Sequence, residues 1–137
     1  MSRLAVVDAG PLFAAADDDD RDHTDAVAVL ADPALRLVVP ALVVAEATYF
    51  VSRHLGARAE TAFLRGLSDV DVEGPTPDDF IRMAELVEQY ADFPLGGTDA
   101  SVIALAERLD APTVVTLDRG HFAAVAPRHR EAFQLLP

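Results

Sequence analysis

The chain contains no cysteine and no lysine, and each absence closes off chemistry. Without cysteine there are no disulfides and no thiolate metal ligands. All eleven basic residues are arginine, so P-loop, Schiff-base and phosphoryl-receiver chemistries lack the lysine each relies on. Long apolar runs are missing too. No stretch approaches the length of a membrane span. Only Leu4-Ala5-Val6-Val7 separates Arg3 from Asp8, too little for the apolar region of a signal peptide. A soluble, cytoplasmic protein is the expectation. Positive charge is scarce: the net charge of −12 argues against a general, sequence-blind nucleic-acid binder, which gains affinity by neutralising phosphates, and suits a basic protein partner. No internal repeat and no long linker interrupts the 137 residues, and 51% hydrophobic content reads as one compact domain, 1–137, with a real core.

What is present alternates between short apolar strands and helical patterns. Leu4–Val7, Leu35–Val39, Val70–Val72, Thr113–Leu117 and Phe133–Leu136 read as strands. A helix is predicted near Pro11, others over Thr24–Ala31 and from Pro40 to about Gly56, and another over Ala57–Leu67. Thr76 or Asp78 is placed to cap a helix running to Tyr90; Gly96-Gly97-Thr98 turns into a helix opened by Asp99 and ended before Pro112; Phe122–Val125 is a short helix or turn. Strands alternating with helices imply an α/β fold with a mostly parallel sheet and helices on both faces. Ligands in such sheets gather beyond the carboxyl ends of the strands.

Four acids stand where a carboxylate is conspicuous. Asp8 ends the first apolar run and Asp118 follows Thr113-Val114-Val115-Thr116-Leu117. Asp99 opens the stretch Ala100-Ser101-Val102-Ile103-Ala104-Leu105-Ala106. Glu46 is the only charged residue between Arg36 and Arg53. Taken singly, three have ordinary readings: Asp8 as a helix cap, Asp99 (with Thr98 able to share the role) as a first-turn acid answering the helix dipole, and Asp118 as a turn residue. Glu46, in so apolar a helix, is expected to be buried and paired. Taken together, acids at strand ends and a helix start can share one edge of the sheet. An ionised carboxylate in apolar surroundings needs a cation or a proton, and an oxygen-only donor set suits Mg²⁺ or Mn²⁺ rather than zinc.

Val6-Val7-Asp8-Ala9-Gly10-Pro11-Leu12, Pro40-Ala41-Leu42-Val43-Val44-Ala45-Glu46, Gly97-Thr98-Asp99-Ala100-Ser101 and Thr116-Leu117-Asp118-Arg119-Gly120-His121-Phe122 resemble the acidic motifs of PIN-domain ribonucleases, in particular VapC-like toxins of bacterial toxin–antitoxin pairs. The resemblance covers essentially the whole chain. It implies a three-layer α/β/α fold and places the family's four acids on Asp8, Glu46, Asp99 and Asp118. Asp8 and Asp99 would hold the principal Mg²⁺, for which Mn²⁺ can substitute. Glu46 would orient the attacking water, and Asp118 would complete the pocket or a second, weaker site. The implied reaction is in-line hydrolysis of an RNA phosphodiester by metal-activated water, without a covalent intermediate, leaving 5′-phosphate and 3′-hydroxyl ends. The implied partners are a VapB-like antitoxin whose tail covers or fills the pocket, and a second copy in a homodimer. One departure stands out: many relatives have Ser or Asn two residues after the first Asp, where this chain has Gly10.

Around these acids, Thr116 is a candidate supporting hydroxyl for Asp118 and a candidate substrate contact, and Arg119 is the arginine best placed by sequence to meet a phosphate. The acids of Asp17–Asp22 lack the glycine and distal Glu of a calcium loop and read as solvated. Asp92 reads as a loop or cap residue. His121 is expected in a structural hydrogen bond, and His23, His54 and His129 show no metal-ligand spacing. Arg53, Arg58 and Arg65 are accounted for by ordinary solvation, and Phe80, Leu86 and Val87 by core or dimer contacts. The rival to an enzyme is a non-catalytic PIN-fold interaction module, against which the presence of all four acids speaks.

Overall fold

The structure, a computed structural model, describes residues 2–137. In chain order it contains β1 (Arg3–Val7), α1 (Ala9–Ala16), α2 (His23–Leu30), β2 (Leu35–Pro40), α3 (Ala41–Leu67), β3 (Asp71–Glu73), α4 (Pro77–Gln89), α5 (Gly97–Arg108), β4 (Thr113–Val115), α6 (Arg119–Ala124) and β5 (Gln134–Leu136). The strands form one sheet in the order β3-β2-β1-β4-β5, and every neighbouring pair is parallel. Val6 at the centre faces Val38 on β2 and Val114 on β4. The central strands β1 and β4 are covered on both faces towards their carboxyl ends, which is why they read as unbroken apolar runs rather than alternating ones.

The strand order creates the site. From β1 the chain runs outward through β2 to β3, then returns across the sheet to β4 and on to β5. Crossovers are right-handed, so this reversal puts the helices before and after β3 on opposite faces, giving three layers. α1 packs on α2 and α3, and α4 on α5. Between β1 and β4, where the direction reverses, a crevice opens at the strands' carboxyl ends. Asp8 follows β1 there, and Thr116-Leu117-Asp118 follows β4.

The core is deepest beneath that crevice. Ala5, Val6, Val7, Val114 and Val115 are fully buried, and α5 is buried without interruption from Ala100 to Ala106. A helix apolar all round has to be covered all round, so Asp99 sits at the head of a rigidly held element. No helix among the described residues is long and apolar enough to cross a membrane.

Element boundaries differ from the sequence reading by a residue or two, and by three at the start of α6, which begins at Arg119 rather than Phe122. α1 begins at Ala9, so Pro11 is its third residue rather than its first; the missing amide still falls among those with no helical partner. α5 begins at Gly97, so Asp99 lies within the first turn, where the Gly96 amide bonds to its carboxylate, and Gly96 takes the N-cap position. Thr76, not Asp78, caps α4: its hydroxyl accepts from the Asp79 amide at 3.1 Å, and Asp79 accepts from the Thr76 amide at 3.1 Å. The helix over Ala41–Leu67 breaks at Gly56, whose φ of 85° and ψ of 179° leave the helical region, dividing it where the sequence divides it.

Candidate metal centre at the carboxyl edge of the sheet

Asp8 is the N-cap of α1 by position but makes no side-chain cap bond. Its carboxylate instead accepts a hydrogen bond of 2.8 Å from the Thr116 hydroxyl, which in turn accepts from the Asp118 amide at 2.9 Å. Thr116 is completely buried, so the ends of β1 and β4 are tied together through one hydroxyl. Asp118 does cap: its carboxylate accepts from the His121 amide at 3.2 Å and pairs with the His121 ring. The His121 ring meets the edge of Phe93, with centroids 5.1 Å apart.

An open pocket of about 820 Å³ lies over this edge, and Asp8, Glu46, Asp99 and Asp118 all line it. They arrive from the end of β1, the second turn of α3, the first turn of α5 and the start of α6. The expectation of a paired Glu46 is not met: Glu46 is half-buried and forms no ion pair or hydrogen bond among the described residues. Its electrostatic neighbours are other acids. Burial raises its pKa, and the charges of Asp8 and Asp99 raise it further. Asp99 is raised by burial and then by Asp8. Asp8 is raised by burial, which outweighs the Ala9 amide and the Thr116 hydroxyl acting to lower it. The His121 pKa is raised by its bond to Asp118, against some desolvation, and by the charges of Asp118, Asp99 and Asp8.

This donor set is all oxygen, and no arginine lines the pocket. Among the described residues no three His, Asp or Glu side chains gather tightly enough to form a ready-made ligand cluster, so the acids meet across a pocket rather than around a point. Their chemistry fits a hard divalent ion. Mg²⁺ is characteristically held by one or two carboxylates and keeps several waters, so a pocket with room beside the acids suits it better than a closed cage would.

Other sequence expectations fare differently. Thr116 spends its hydroxyl on Asp8 and the Asp118 amide and has no exposed surface to offer a substrate, so its position is that of a support. The Arg119 guanidinium donates to the main-chain oxygen of Pro137 and is not among the residues lining the pocket. Asp17 belongs to the run read as a solvated loop but is half-buried and lines the pocket, while Asp18 and Asp19 are exposed as expected. Gly10 lies under the pocket, and a Cβ there would meet Leu117 at 3.5 Å, an ordinary contact. Sequence reasoning missed the aromatic part of the lining, Phe13, Phe50 and His54. The only signal for part of it was the spacing of four residues from Glu46 to Phe50 to His54, which puts all three on one stripe of α3.

With this geometry in view, comparison with known proteins is specific. Residues 5–127 match the family model for the PIN domain. The chain is 33% identical over 134 residues to Ribonuclease VapC26 of Mycobacterium tuberculosis, covering 96% of this chain and 99% of that protein. Two solved structures share the fold at lower identity. The sarcin–ricin loop cleaving toxin VapC20 of Mycobacterium tuberculosis superposes with a TM-score of 0.72 at 21% identity, over 80% of this chain and 86% of that one. A chain of the VapBC2 structure from Rickettsia felis, bound to a promoter DNA fragment, gives 0.73 at 16% identity, over 98% and 99%. The motif order, the reversal of the sheet at β1 and β4, and these likenesses agree: the chain belongs to the PIN-domain family, among its VapC-like ribonucleases.

Proposed function

We propose that this chain is a divalent-metal-dependent endoribonuclease and the toxin of a VapBC-type pair. One observation supports the reading above the rest. Asp8, Glu46 and Asp99 share a pocket in which all three pKa values are raised, each in part by the charge of another acid, and no arginine answers them. A fold gains nothing from such an arrangement unless a cation completes it.

Asp8 and Asp99 are the proposed holders of Mg²⁺, or of Mn²⁺ in its place. Bound there, the ion would neutralise charge on the scissile phosphate and increase the acidity of the attacking water. The chain's own groups do the rest. Thr116 fixes the Asp8 carboxylate by donating to one of its oxygens. Glu46 has no protein donor and a raised pKa, properties suited to orienting water and accepting its proton. Asp118 fixes His121 and completes the acidic rim, or a second and weaker ion site. Water attacks phosphorus as its proton passes to Glu46, the bond to the 3′ oxygen breaks, and that oxygen takes up a proton from solvent, giving 5′-phosphate and 3′-hydroxyl ends. Arg119 is a proposed phosphate contact once a strand competes with Pro137 for its guanidinium.

The partners follow from the same reading: an RNA substrate, a VapB-like antitoxin that covers the pocket, and a second copy of this chain in a homodimer. The test is cleavage of RNA by purified chain with Mg²⁺ supplied and withheld. Asp8→Asn is expected to abolish cleavage while leaving the fold intact by circular dichroism, and Glu46→Gln to slow it by roughly 10²–10⁴-fold. Expression of the chain should arrest growth, and Asp8→Asn should relieve the arrest. Undiminished cleavage by pure Asp8→Asn protein sinks the proposal.

A further inference from the structure

Beside the acids, the lining of the pocket includes aromatic residues that the chemistry of phosphodiester cleavage does not require. Phe13 on α1 meets Phe50 on α3 edge to face, with centroids 6.5 Å apart and planes at 75°, and meets His54 in the same way at 5.9 Å and 79°. Phe50 and His54 lie nearly parallel, 6.2 Å apart at 21°. The three rings hold one another in place, yet they are not core: Phe50 is 40% exposed, and the neighbouring Tyr49, with centroids 5.7 Å away, is 59% exposed. Glu46, Phe50 and His54 follow one another at helical spacing, so one stripe of α3 passes from carboxylate to aromatic without a break.

The arginines sort the same helix out from the rest of the molecule. Arg21, Arg36, Arg82, Arg108, Arg128 and Arg130 are ion-paired with carboxylates. Arg3 bonds to Gln134 and Arg119 to Pro137. The remaining three, Arg53, Arg58 and Arg65, have no such partner among the described residues, and all three are on α3. In a chain with a net charge of −12, every uncommitted guanidinium is therefore on one element. Arg53 precedes His54 in sequence, and Arg58 follows it by four residues across the Gly56 break.

We propose that Phe13, Phe50 and His54 form a platform on which bases of a single-stranded RNA stack beside the carboxylates, while Arg53 and Arg58 hold the strand's phosphates. The proposal rests on the ribonuclease reading and adds to it the residues that seat the substrate. Stacked rings, with uncommitted cations carried on the same helix, complement the two parts of a nucleotide, the π-face of the base and the anionic backbone. A purely apolar partner would leave the arginines unanswered. Because every base has a π-face, a platform of this kind favours unpaired RNA without dictating sequence. A strand that sets a phosphate among the acids then has its neighbouring base against the aromatic wall.

The experiment is a fluorescence titration of a single-stranded oligoribonucleotide carrying 2-aminopurine, on the full chain, at low salt and without divalent metal, so that nothing is cut. Stacking quenches the probe. The wild-type chain is expected to bind and quench; Phe50→Leu and His54→Leu are expected to lose the quenching and weaken binding roughly ten-fold. Phe50→Tyr should restore both. Arg53→Gln and Arg58→Gln should keep the quenching at saturation but flatten the dependence of log K on log salt by about 0.7 each. Wild-type affinity and quenching in Phe50→Leu overturn the platform. So does an unchanged RNA affinity accompanied by conversion of a dimer to a monomer, which would make the wall a protein interface. A wild-type chain that binds and quenches but leaves RNA uncut when Mg²⁺ is supplied overturns the nuclease reading and supports the platform. Cleavage without any quenching does the reverse.

Discussion

Two regions of this molecule concentrate acids, and they are built in opposite ways. Along α4 and α5, carboxylates and arginines are matched: Arg82 Nε donates to Glu107 at 2.8 Å, Arg108 Nε to Asp79 at 2.9 Å, and Arg108 Nη2 to Glu73 at 3.0 Å. Burial works to raise the Glu107 pKa, but the Arg82 fork, the Arg128 amide and the charges of both arginines outweigh it and hold the pKa below the usual range. At the carboxyl edge of the sheet, Asp8 is buried and Glu46 and Asp99 are half-buried, with no arginine in the pocket they line, and all three are raised. The protein has arginines to spare for the first region and places none in the second. The acids of the first region are neutralised in place; those of the second are left to repel one another, an arrangement consistent with the proposed cation site.

Substitutions can break this comparison on either side. The largest stability effect is expected at the matched region. Arg82→Met removes the guanidinium fork from Glu107, whose side chain is 10% exposed, and leaves it the Arg128 amide, which should cost about 3 kcal/mol in denaturant unfolding. Glu46→Gln, which removes a charge from the unmatched region, should leave stability unchanged or raise it. Equal losses from the two variants would erase the distinction. Next in size is the response to metal. Saturating Mg²⁺ at a hundred times its dissociation constant should stabilise the wild-type chain by about 2.7 kcal/mol, read as a rise in Tm that disappears in the Asp8→Asn/Asp99→Asn double variant and survives in Arg82→Met.

The support beneath the pocket comes third. Thr116→Val keeps the shape but removes the hydroxyl between Asp8 and the Asp118 amide. It should lower stability by roughly 1.5–3 kcal/mol and RNA cleavage by 10–100-fold; cleavage that is unaffected would mean that Asp8 needs no such positioning. The mildest effect is pH dependence, where the two regions have opposite signs. In the metal-free protein the raised acids bind more protons folded than unfolded. Their contribution to stability is therefore present at low pH and falls as pH rises from their ordinary values, 3.8 for Asp8 and Asp99 and 4.5 for Glu46, through the raised ones. Glu107 is lowered, so its contribution is present above 4.5 and is lost as pH falls through the lowered value. Urea midpoints taken across this range in Glu46→Gln and Glu107→Gln separate the two slopes, and slopes of one sign would contradict the contrast.

Much of the fold could be read from the chain because its signals are local. Leu4–Val7 and Thr113–Val115 are short runs without the alternation of a half-exposed strand, as parallel strands covered on both faces are. Gly56, Thr76 and Pro112 punctuate the helices. Glu46 was conspicuous for a similar reason, a charge in an apolar sequence, although no side chain among the described residues pairs with it. Asp17, Phe13 and His54 could not be found this way. Their roles depend on α1 lying against α3, and a half-exposed aromatic ring in a helix gives no sign in sequence of what it faces.

The sequence by itself settles the alternation of strands and helices and the exclusion of lysine and thiol chemistry, because composition and short-range pattern carry these. The tertiary structure decides that the sheet reverses between β1 and β4, and hence that acids separated by up to 110 positions, from Asp8 to Asp118, share one pocket. It also decides which carboxylates are neutralised and which are left unanswered. Both depend on long-range packing: an arginine has no fixed partner until the helices that carry it are docked, and repulsion between acids exists only once the fold has brought them together.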